Sequence, residues 1–189
     1  AGTLTIPDSI PPCAAVVLVG NSSVDRDMTA GRHRLFQVLA AHLAEHGLAV
    51  LRMDNRGIGQ SEGTPWPANT KQDMASDVEA AIHYLRSRED VGSLPIGLIG
   101  HSEGANVASI VAARNPQTAF VVMLGGPGLS GNEILCAQIR RVAPDFGVKK
   151  RTIAKHIALM RETTEILHHW PDEKSAIAAL NSLYDDYLQ

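Results

Sequence analysis

Short apolar runs rich in β-branched residues alternate with segments of helical periodicity over the first two thirds of this chain. Ala14–Val19 (AAVVLV) is a continuous apolar run, as expected for a strand buried on both faces. Similar runs lie at 48–53, 95–99 and 119–124, and helical segments separate them at 33–46, 74–85 and 105–114. This alternation predicts an α/β fold, a mostly parallel sheet flanked by helices. In the helix at 33–46, we expect Leu35, Leu39 and Leu43 to form the buried face.

The character of the chain changes after the GGPGLSG stretch at 125–131. Segments 132–143, 152–169 and 172–188 all have helical periodicity, and the sequence predicts no strand among them. The chain therefore divides into a predicted α/β core at 1–130 and a helical segment at 131–189.

Gly100-His101-Ser102-Glu103-Gly104 carries the strongest chemical signal, because this G-x-S-x-G lies directly between a predicted strand and a predicted helix. A strand that turns sharply into a helix leaves no room for side chains beside the central serine, so glycines are needed there. This context favours Ser102 as a catalytic nucleophile over an ordinary turn serine.

The polar loop Gly20-Asn21-Ser22-Ser23 follows the predicted strand at Ala14–Val19. Hydrolases with this turn place there one backbone N–H of an oxyanion hole, and the other comes from the residue after the nucleophile. We therefore interpret Asn21 and Glu103 as the oxyanion donors. A plain polar turn is the alternative for this loop.

Several further segments resemble the α/β-hydrolase family, in particular its bacterial serine aminopeptidase-like and esterase-like members. They are GTLTIPDS, VLVGNSSVDRD, RMDNRGIGQSEG, YLRSRED, PIGLIGHSEG and LGGPGLSGNEIL. The resemblance implies a serine hydrolase with ester or amide chemistry, in which the helical tail is a lid over the pocket. Asp54 and Arg56 are expected to tie down a glycine-rich loop beside the site, and 25–27 is expected to be a fixed loop.

The chain departs from the family pattern in two places. Ser22 and Ser23 stand where the family usually has Gly-Pro. The family order is serine, then acid, then histidine, and no strand-like run follows Leu124, so we expect a fold that is incomplete at the C-terminus, with the usual acid and histidine beyond Gln189.

Two histidines within the chain are candidates for a base that would replace the usual catalytic histidine. His168 or His169 in the tail could approach Ser102, with Asp172 as an orienting acid; the competing interpretation is that they are solvated surface histidines. His101 is interpreted as structural.

The charge and composition of the chain argue against several classes of partner and cofactor. A net charge of −3 gives no basic surface for nucleic acid, and no apolar stretch reaches the ~20 residues that cross a bilayer. We therefore expect no nucleic-acid or membrane partner and a cytoplasmic location, with a removed signal peptide as the alternative. Cys13 and Cys136 are far apart, and no ligand cluster or phosphate-binding loop is evident, so we expect no disulfide, metal or organic cofactor.

The helical tail carries apolar residues that are expected to be exposed, namely Ile153, Ile157, Met160, Ile166 and Leu167. Exposed apolar stripes favour association, so a homodimer or swapped oligomer is predicted.

Three hypotheses for function follow. The first is an esterase-like serine hydrolase that acts on small acyl esters, with activity lowered by an incomplete triad. The second is an inactive hydrolase-fold module for binding or assembly. The third is a fragment of a complete hydrolase.

Overall fold

A computed structural model of the protein describes residues 1–8, 10–65 and 67–188. The chain forms two compact units, Ala1–Pro127 and Gly128–Gln189. The strands of the described residues are β1 (Gly2–Thr5), β2 (Ala14–Val19), β3 (Thr29–Ala30), β4 (His33–Arg34), β5 (Leu48–Met53), β6 (Ile96–His101) and β7 (Thr118–Leu124).

The main sheet of the first unit has the strand order β1-β5-β2-β6-β7 within the described residues. Strand β2 is parallel to both β5 and β6, and β6 is parallel to β7. Only β1 runs antiparallel, against β5. The prediction of a mostly parallel sheet is confirmed, because the apolar runs became strands. Strands β2, β5 and β6 are largely buried, whereas β7 has only partly buried and exposed residues.

Helices cover both faces of this sheet. They are α1 (Leu35–Glu45), α2 (Lys71–Arg86) and α3 (Glu103–Arg114). On one face, α2 and α3 pack a large core against the strands, and on the other face Phe36 and Ala40 of α1 pack against Val16 and Val50. The parallel strands end on the side of the sheet that carries the loops after β2, β5 and β6, which is where α/β folds bind ligands.

Helix α1 differs from its prediction in both its start and its buried face. His33 pairs with Ala30 in the short β3–β4 hairpin, so the helix begins only at Leu35. The prediction that Leu35 is buried is wrong, since this residue is 44% exposed. The buried face is centred on Phe36 and Ala40, and the partly buried Leu39 and Leu43 flank it.

The second unit is helical: α4 (Gly131–Val142), a 3-10 turn (Ala143–Phe146), α5 (Lys150–His169) and α6 (Glu173–Leu188). The expectation that Ile153 and Ile157 are exposed is wrong, because α4 packs on α5 and both side chains are buried beside Cys136. Leu167 is exposed as expected. A homodimer or swapped oligomer stays a prediction.

The cysteines and the helices were also the subject of expectations from the sequence. Both cysteines are free, Cys13 exposed and Cys136 buried. Across residues 1–8, 10–65 and 67–188, every helix is too short or too polar to span a bilayer.

Candidate functional site

Ser102 occupies a strained turn between a strand and a helix. Strand β6 ends at His101, helix α3 begins at Glu103, and Ser102 between them has φ 54° and ψ −120°. A non-glycine residue with positive φ is uncommon, and such a conformation costs roughly 1–3 kcal/mol, so it persists only where the surroundings impose it. The backbone N–H of Ser102 donates to the carbonyl oxygen of Leu124 at 2.9 Å, which fixes the turn to the end of β7.

The glycines on either side of Ser102 are required by close backbone packing. A Cβ on Gly104 would overlap the carbonyl oxygen of Val19, and a Cβ on Gly100 would overlap the carbonyl oxygen of Gly104. The first turn of α3 therefore lies directly against the end of β2. This contact is the physical reason for the G-x-S-x-G spacing, and it leaves the Ser102 side chain partly exposed.

The loop after β2 lies beside this turn, as the sequence predicts. Val19 pairs with Gly100 in the sheet, so Gly20 and Asn21 leave β2 next to the position where β6 leads into Ser102. Backbone N–H groups from two such loops can stabilise a developing oxyanion. The roles of Asn21 and Glu103 as oxyanion donors stay predictions.

Asn55, which the sequence analysis did not single out, holds the loop after β2. Its side-chain amide donates to the carbonyl oxygen of Asn21 at 2.6 Å and to that of Val24 at 3.0 Å. The side-chain oxygen of Asn21 in turn accepts from the N–H and hydroxyl of Ser23, each at 3.3 Å. Asn55 thus fixes both ends of the loop that would carry one oxyanion donor.

Glu103 contacts the same loop through its side chain, which sequence reasoning also missed. Its carboxylate accepts from the N–H and hydroxyl of Ser22, each at 3.0 Å, and Ser22 is only 6% exposed. From the sequence, only the backbone N–H of Glu103 was expected to have a role, and Ser22 stood out only as a departure from the family's Gly-Pro. A charged residue directly after Ser102, together with a polar residue in the opposite loop, was the available signal for this pair.

Ion pairs hold the loops around the site. Asp54 and Arg56 both tie down the glycine-rich loop, as expected, but each does so through a different partner. Asp54 accepts from the guanidinium of Arg26 at 2.5 Å and from the N–H of Gln60 at 3.0 Å. The Arg26 guanidinium holds the pKa of the Asp54 carboxyl well below its usual range, and backbone N–H donors add to this effect against the cost of burial. Arg56 pairs instead with Asp77 of α2, at 2.6 Å.

The loop at 25–27 is fixed, as expected. Asp25 accepts from the N–H and the hydroxyl of Thr29 at 2.9 and 2.8 Å, and Asp27 pairs with the guanidinium of Arg52. The Asp27–Arg52 pair joins this loop to strand β5, and the Arg26–Asp54 pair joins it to the start of the loop after β5. His101 lies beside the site, and its Nδ1 is buried without a partner among the described residues.

The candidate base and acid lie in the second unit, each with partners on its own segment. The Nδ1 atom of His169 is 3.1 Å from the carbonyl oxygen of Glu165 and 3.2 Å from its carboxylate. Asp172 directly precedes α6, and its carboxylate accepts from the N–H and hydroxyl of Ser175 in the first turn of that helix. His168 is exposed. The catalytic roles of these three residues stay predictions.

Comparison with known proteins agrees with this geometry. The family model described as serine aminopeptidase, S33, matches residues 30–183. Esterase EstD of Thermotoga maritima is 31% identical over 140 residues, which are 74% of this chain and 33% of that protein. The uncharacterized protein Rv2307c of Mycobacterium tuberculosis is 35% identical over 108 residues, 57% of this chain and 34% of that protein. The chain thus spans about a third of the length of these relatives.

Solved structures show the same fold. The Pyrococcus furiosus esterase PF2001 matches with a TM-score of 0.59 at 20% identity, over 76% of this chain and 51% of that chain. An α/β serine hydrolase homologue from Coxiella burnetii matches with a TM-score of 0.55 at 20% identity, over 69% of this chain and 59% of that chain. With the family model covering most of its length, the chain belongs to the serine aminopeptidase S33 family of α/β hydrolases.

Proposed function

We propose that this protein is an esterase-type serine hydrolase that cleaves small acyl esters through an acyl-Ser102 intermediate. The observation that carries the proposal is the conformation of Ser102, held at φ 54° between two glycines at the carboxyl end of the parallel sheet. Similarity to esterase EstD supports ester chemistry.

The proposed reaction has two steps. The Ser102 hydroxyl oxygen attacks the ester carbonyl carbon and loses its proton to a base, while the carbonyl oxygen becomes an oxyanion. The C–O bond to the alcohol then breaks, the alcohol leaves with a proton, and the acyl group stays on Ser102. Water attacks this acyl ester, which releases the acid and restores the serine.

The Asn21 loop and the start of α3 would supply the oxyanion donors. Removing one oxyanion donor typically lowers kcat about 10²–10³-fold, so the loop and the helix must hold both N–H groups close to the reacting carbonyl. Two sets of side-chain hydrogen bonds support the proposal: Glu103 of α3 holds Ser22 of this loop at 3.0 Å, and Asn55 holds the loop from the segment after β5 at 2.6 and 3.0 Å.

The proposed reaction needs a base, and His168 and His169, with Asp172 as the acid, stay the candidates predicted from the sequence. A serine without a base is a weak nucleophile at neutral pH. Replacing each residue separately, as His168→Ala, His169→Ala and Asp172→Asn, tests this part by itself, because loss of the base slows acylation while leaving Ser102 in place.

The test of the proposed function combines turnover with covalent labelling. Hydrolysis of p-nitrophenyl acetate and butyrate is measured for the wild type, Ser102→Ala and the control Ser76→Ala, whose hydroxyl bonds to its own helix at Gln72. Intact mass is then recorded after treatment with a fluorophosphonate. We expect turnover and one adduct in the wild type and in the control, and neither in Ser102→Ala.

The alternative, an inactive module for binding or assembly, makes the opposite prediction. A folded wild type that neither hydrolyses the esters nor gains the adduct would overturn the esterase proposal. An adduct that persists in Ser102→Ala would place the reactive serine elsewhere.

A further inference from the structure

The last turn of α1 brings together two histidines and a glutamate. His42, Glu45 and His46 are all exposed, and one possible ligand atom from each lies within 4.8 Å of the others. Their sequence reads H-x-x-E-H, which places the three side chains on one helical face because residues three and four apart are neighbours. The two imidazole ring centroids are 4.4 Å apart.

The hydrogen bond made by His46 determines which of its nitrogens is free. Its Nδ1 lies 2.8 Å from the carbonyl oxygen of His42. A carbonyl oxygen only accepts, so Nδ1 carries the hydrogen and Nε2 keeps its lone pair. Metal-binding histidines are commonly oriented by such a bond from the other ring nitrogen to a backbone carbonyl.

The end of the helix explains why that carbonyl is available. The backbone N–H of His46 donates to Leu43 at 3.1 Å, and the N–H of Gly47 donates to Ala44 at 3.1 Å. The His42 carbonyl is one of the final-turn acceptors that α-helices leave without a regular partner. The His46 ring therefore both caps the helix and is held in a fixed orientation.

We propose that His42, Glu45 and His46 form a site for a divalent transition-metal ion, such as Zn²⁺, Ni²⁺ or Cu²⁺. Two imidazole nitrogens and a carboxylate oxygen suit these ions, and water would complete the coordination. Mg²⁺ and Ca²⁺ prefer oxygen ligands and are excluded by this donor set. The sequence-based expectation of no metal cofactor, which rested on the lack of an evident ligand cluster, did not take this H-x-x-E-H segment into account.

This site is independent of the proposed esterase. His46 precedes the amino end of β5, whereas Ser102 follows the carboxyl end of β6, and both strands are parallel to β2. The two sites therefore lie at opposite edges of the sheet. Metal binding can be measured whatever the outcome of the Ser102 experiments.

The test is isothermal titration of untagged, metal-free protein with ZnCl₂, NiCl₂, CuCl₂ and MgCl₂. We expect one site per chain for the transition metals, tightest for Cu²⁺, and no heat of binding for Mg²⁺. Loss of an outer partner of a metal ligand alone weakens binding about 10–100-fold. We therefore expect His42→Ala and His46→Gln each to weaken binding of the transition metals at least about tenfold. The amide in His46→Gln can still donate to the His42 carbonyl, so this variant removes the imidazole ligand but keeps the cap of the helix.

Two control variants test whether other side chains of the protein bind the metal instead. Cys13 is an exposed thiol whose N–H donates to the Gly47 carbonyl at 2.8 Å, so Cys13→Ser tests whether the thiol binds the metal instead. His83→Ala removes an exposed histidine of another helix. We expect both controls to bind as the wild type does.

Thermal unfolding with and without Zn²⁺ gives a second readout, since a ligand that binds only the folded state raises the melting temperature. This rise should disappear in His42→Ala and with EDTA. Wild-type protein that does not bind any of these ions would overturn the proposal. Unchanged affinity in His42→Ala and His46→Gln, or loss of binding in either control, would also overturn it.

Discussion

The carboxylate of Glu103 accepts two hydrogen bonds from Ser22, one from the backbone N–H and one from the hydroxyl, each at 3.0 Å. Glu103 begins α3 directly after Ser102, and Ser22 belongs to the loop after β2. The pair therefore ties together the two segments that carry the predicted oxyanion donors. A carboxylate at a helix N-terminus is also favoured by the helix dipole.

Removing the Glu103 carboxylate should destabilise the first unit. Glu103→Ala leaves two buried donors of Ser22 without their acceptor, which costs about 1–3 kcal/mol in the free energy of unfolding. Urea unfolding followed by circular dichroism measures this change. Ser23→Ala is the matched control, because Ser23 is exposed and its bonds to Asn21 are long, at 3.3 Å. Equal stability of Glu103→Ala and wild type would mean that the pair contributes nothing.

Gly104→Ala should prevent normal packing of the turn at Ser102. Its Cβ would overlap the Val19 carbonyl oxygen, and backbone atoms on both sides have little room to move. Overpacking of this kind costs about 1–3 kcal/mol or more. The urea midpoint and the yield of soluble protein should both fall. Gly128→Ala, where a Cβ meets no atom within 4 Å, should leave both unchanged, and a normal midpoint for Gly104→Ala would show that the turn tolerates the methyl group.

Asp54→Asn should lower stability more at neutral pH than in acid. At pH 7 the loss of charged hydrogen bonds to Arg26 and Gln60 should cost about 1.5–3 kcal/mol. Because folding lowers the pKa of Asp54, its stabilising effect is complete above the pKa of an unfolded aspartate, about 3.9, and is lost as the pH falls through the lower pKa of the folded state.

Urea unfolding of wild type and Asp54→Asn at pH 7, 5 and 3 measures this dependence. The difference between the two proteins should be the same at pH 7 and 5 and smaller at pH 3. The exposed Asp8→Asn serves as the control, with no difference expected at pH 7. A difference that grows in acid would contradict the assigned role of the Arg26–Asp54 pair.

Thr70→Ala should weaken the start of α2. The Thr70 hydroxyl oxygen accepts from the N–H of Asp73 at 3.2 Å, and the Asp73 carboxylate accepts from the N–H of Thr70 at 2.8 Å. Loss of such a cap costs about 1 kcal/mol. Thr70→Ser keeps the hydroxyl and should be close to wild type in the same urea experiment, so equal losses in both variants would exclude the cap as the cause.

The sequence predicted those parts of the fold that depend on local patterns. Ala14–Val19 and Leu48–Met53 were placed correctly, because a continuous apolar run that is buried on both faces has no other arrangement in a layered α/β fold. The turn at Ser102 was also predicted, because the G-x-S-x-G pattern lies between a predicted strand and a predicted helix, although the contact of Gly104 with Val19 joins distant segments.

Contacts between distant segments could not be predicted in this way. Asn55 bonds to Asn21, and Arg26 bonds to Asp54, across loops whose mutual approach is set by the sheet and not by any local period. The buried state of Ile153 and Ile157 likewise depends on the packing of α4, which periodicity in α5 alone does not reveal. For this reason the polar interactions around the site emerged only with the tertiary structure.

The position of β2 at the centre of the sheet determines when this protein can fold during its synthesis. Val16 pairs with Val50 on one side and with Gly97 on the other, so the earliest long apolar strand waits for partners that leave the ribosome much later. Non-local parallel pairing is slow, and an unpaired apolar strand is prone to aggregate in the meantime. Translation pauses or chaperones that act before residue 101 emerges should therefore affect the yield more than those that act on the helical tail.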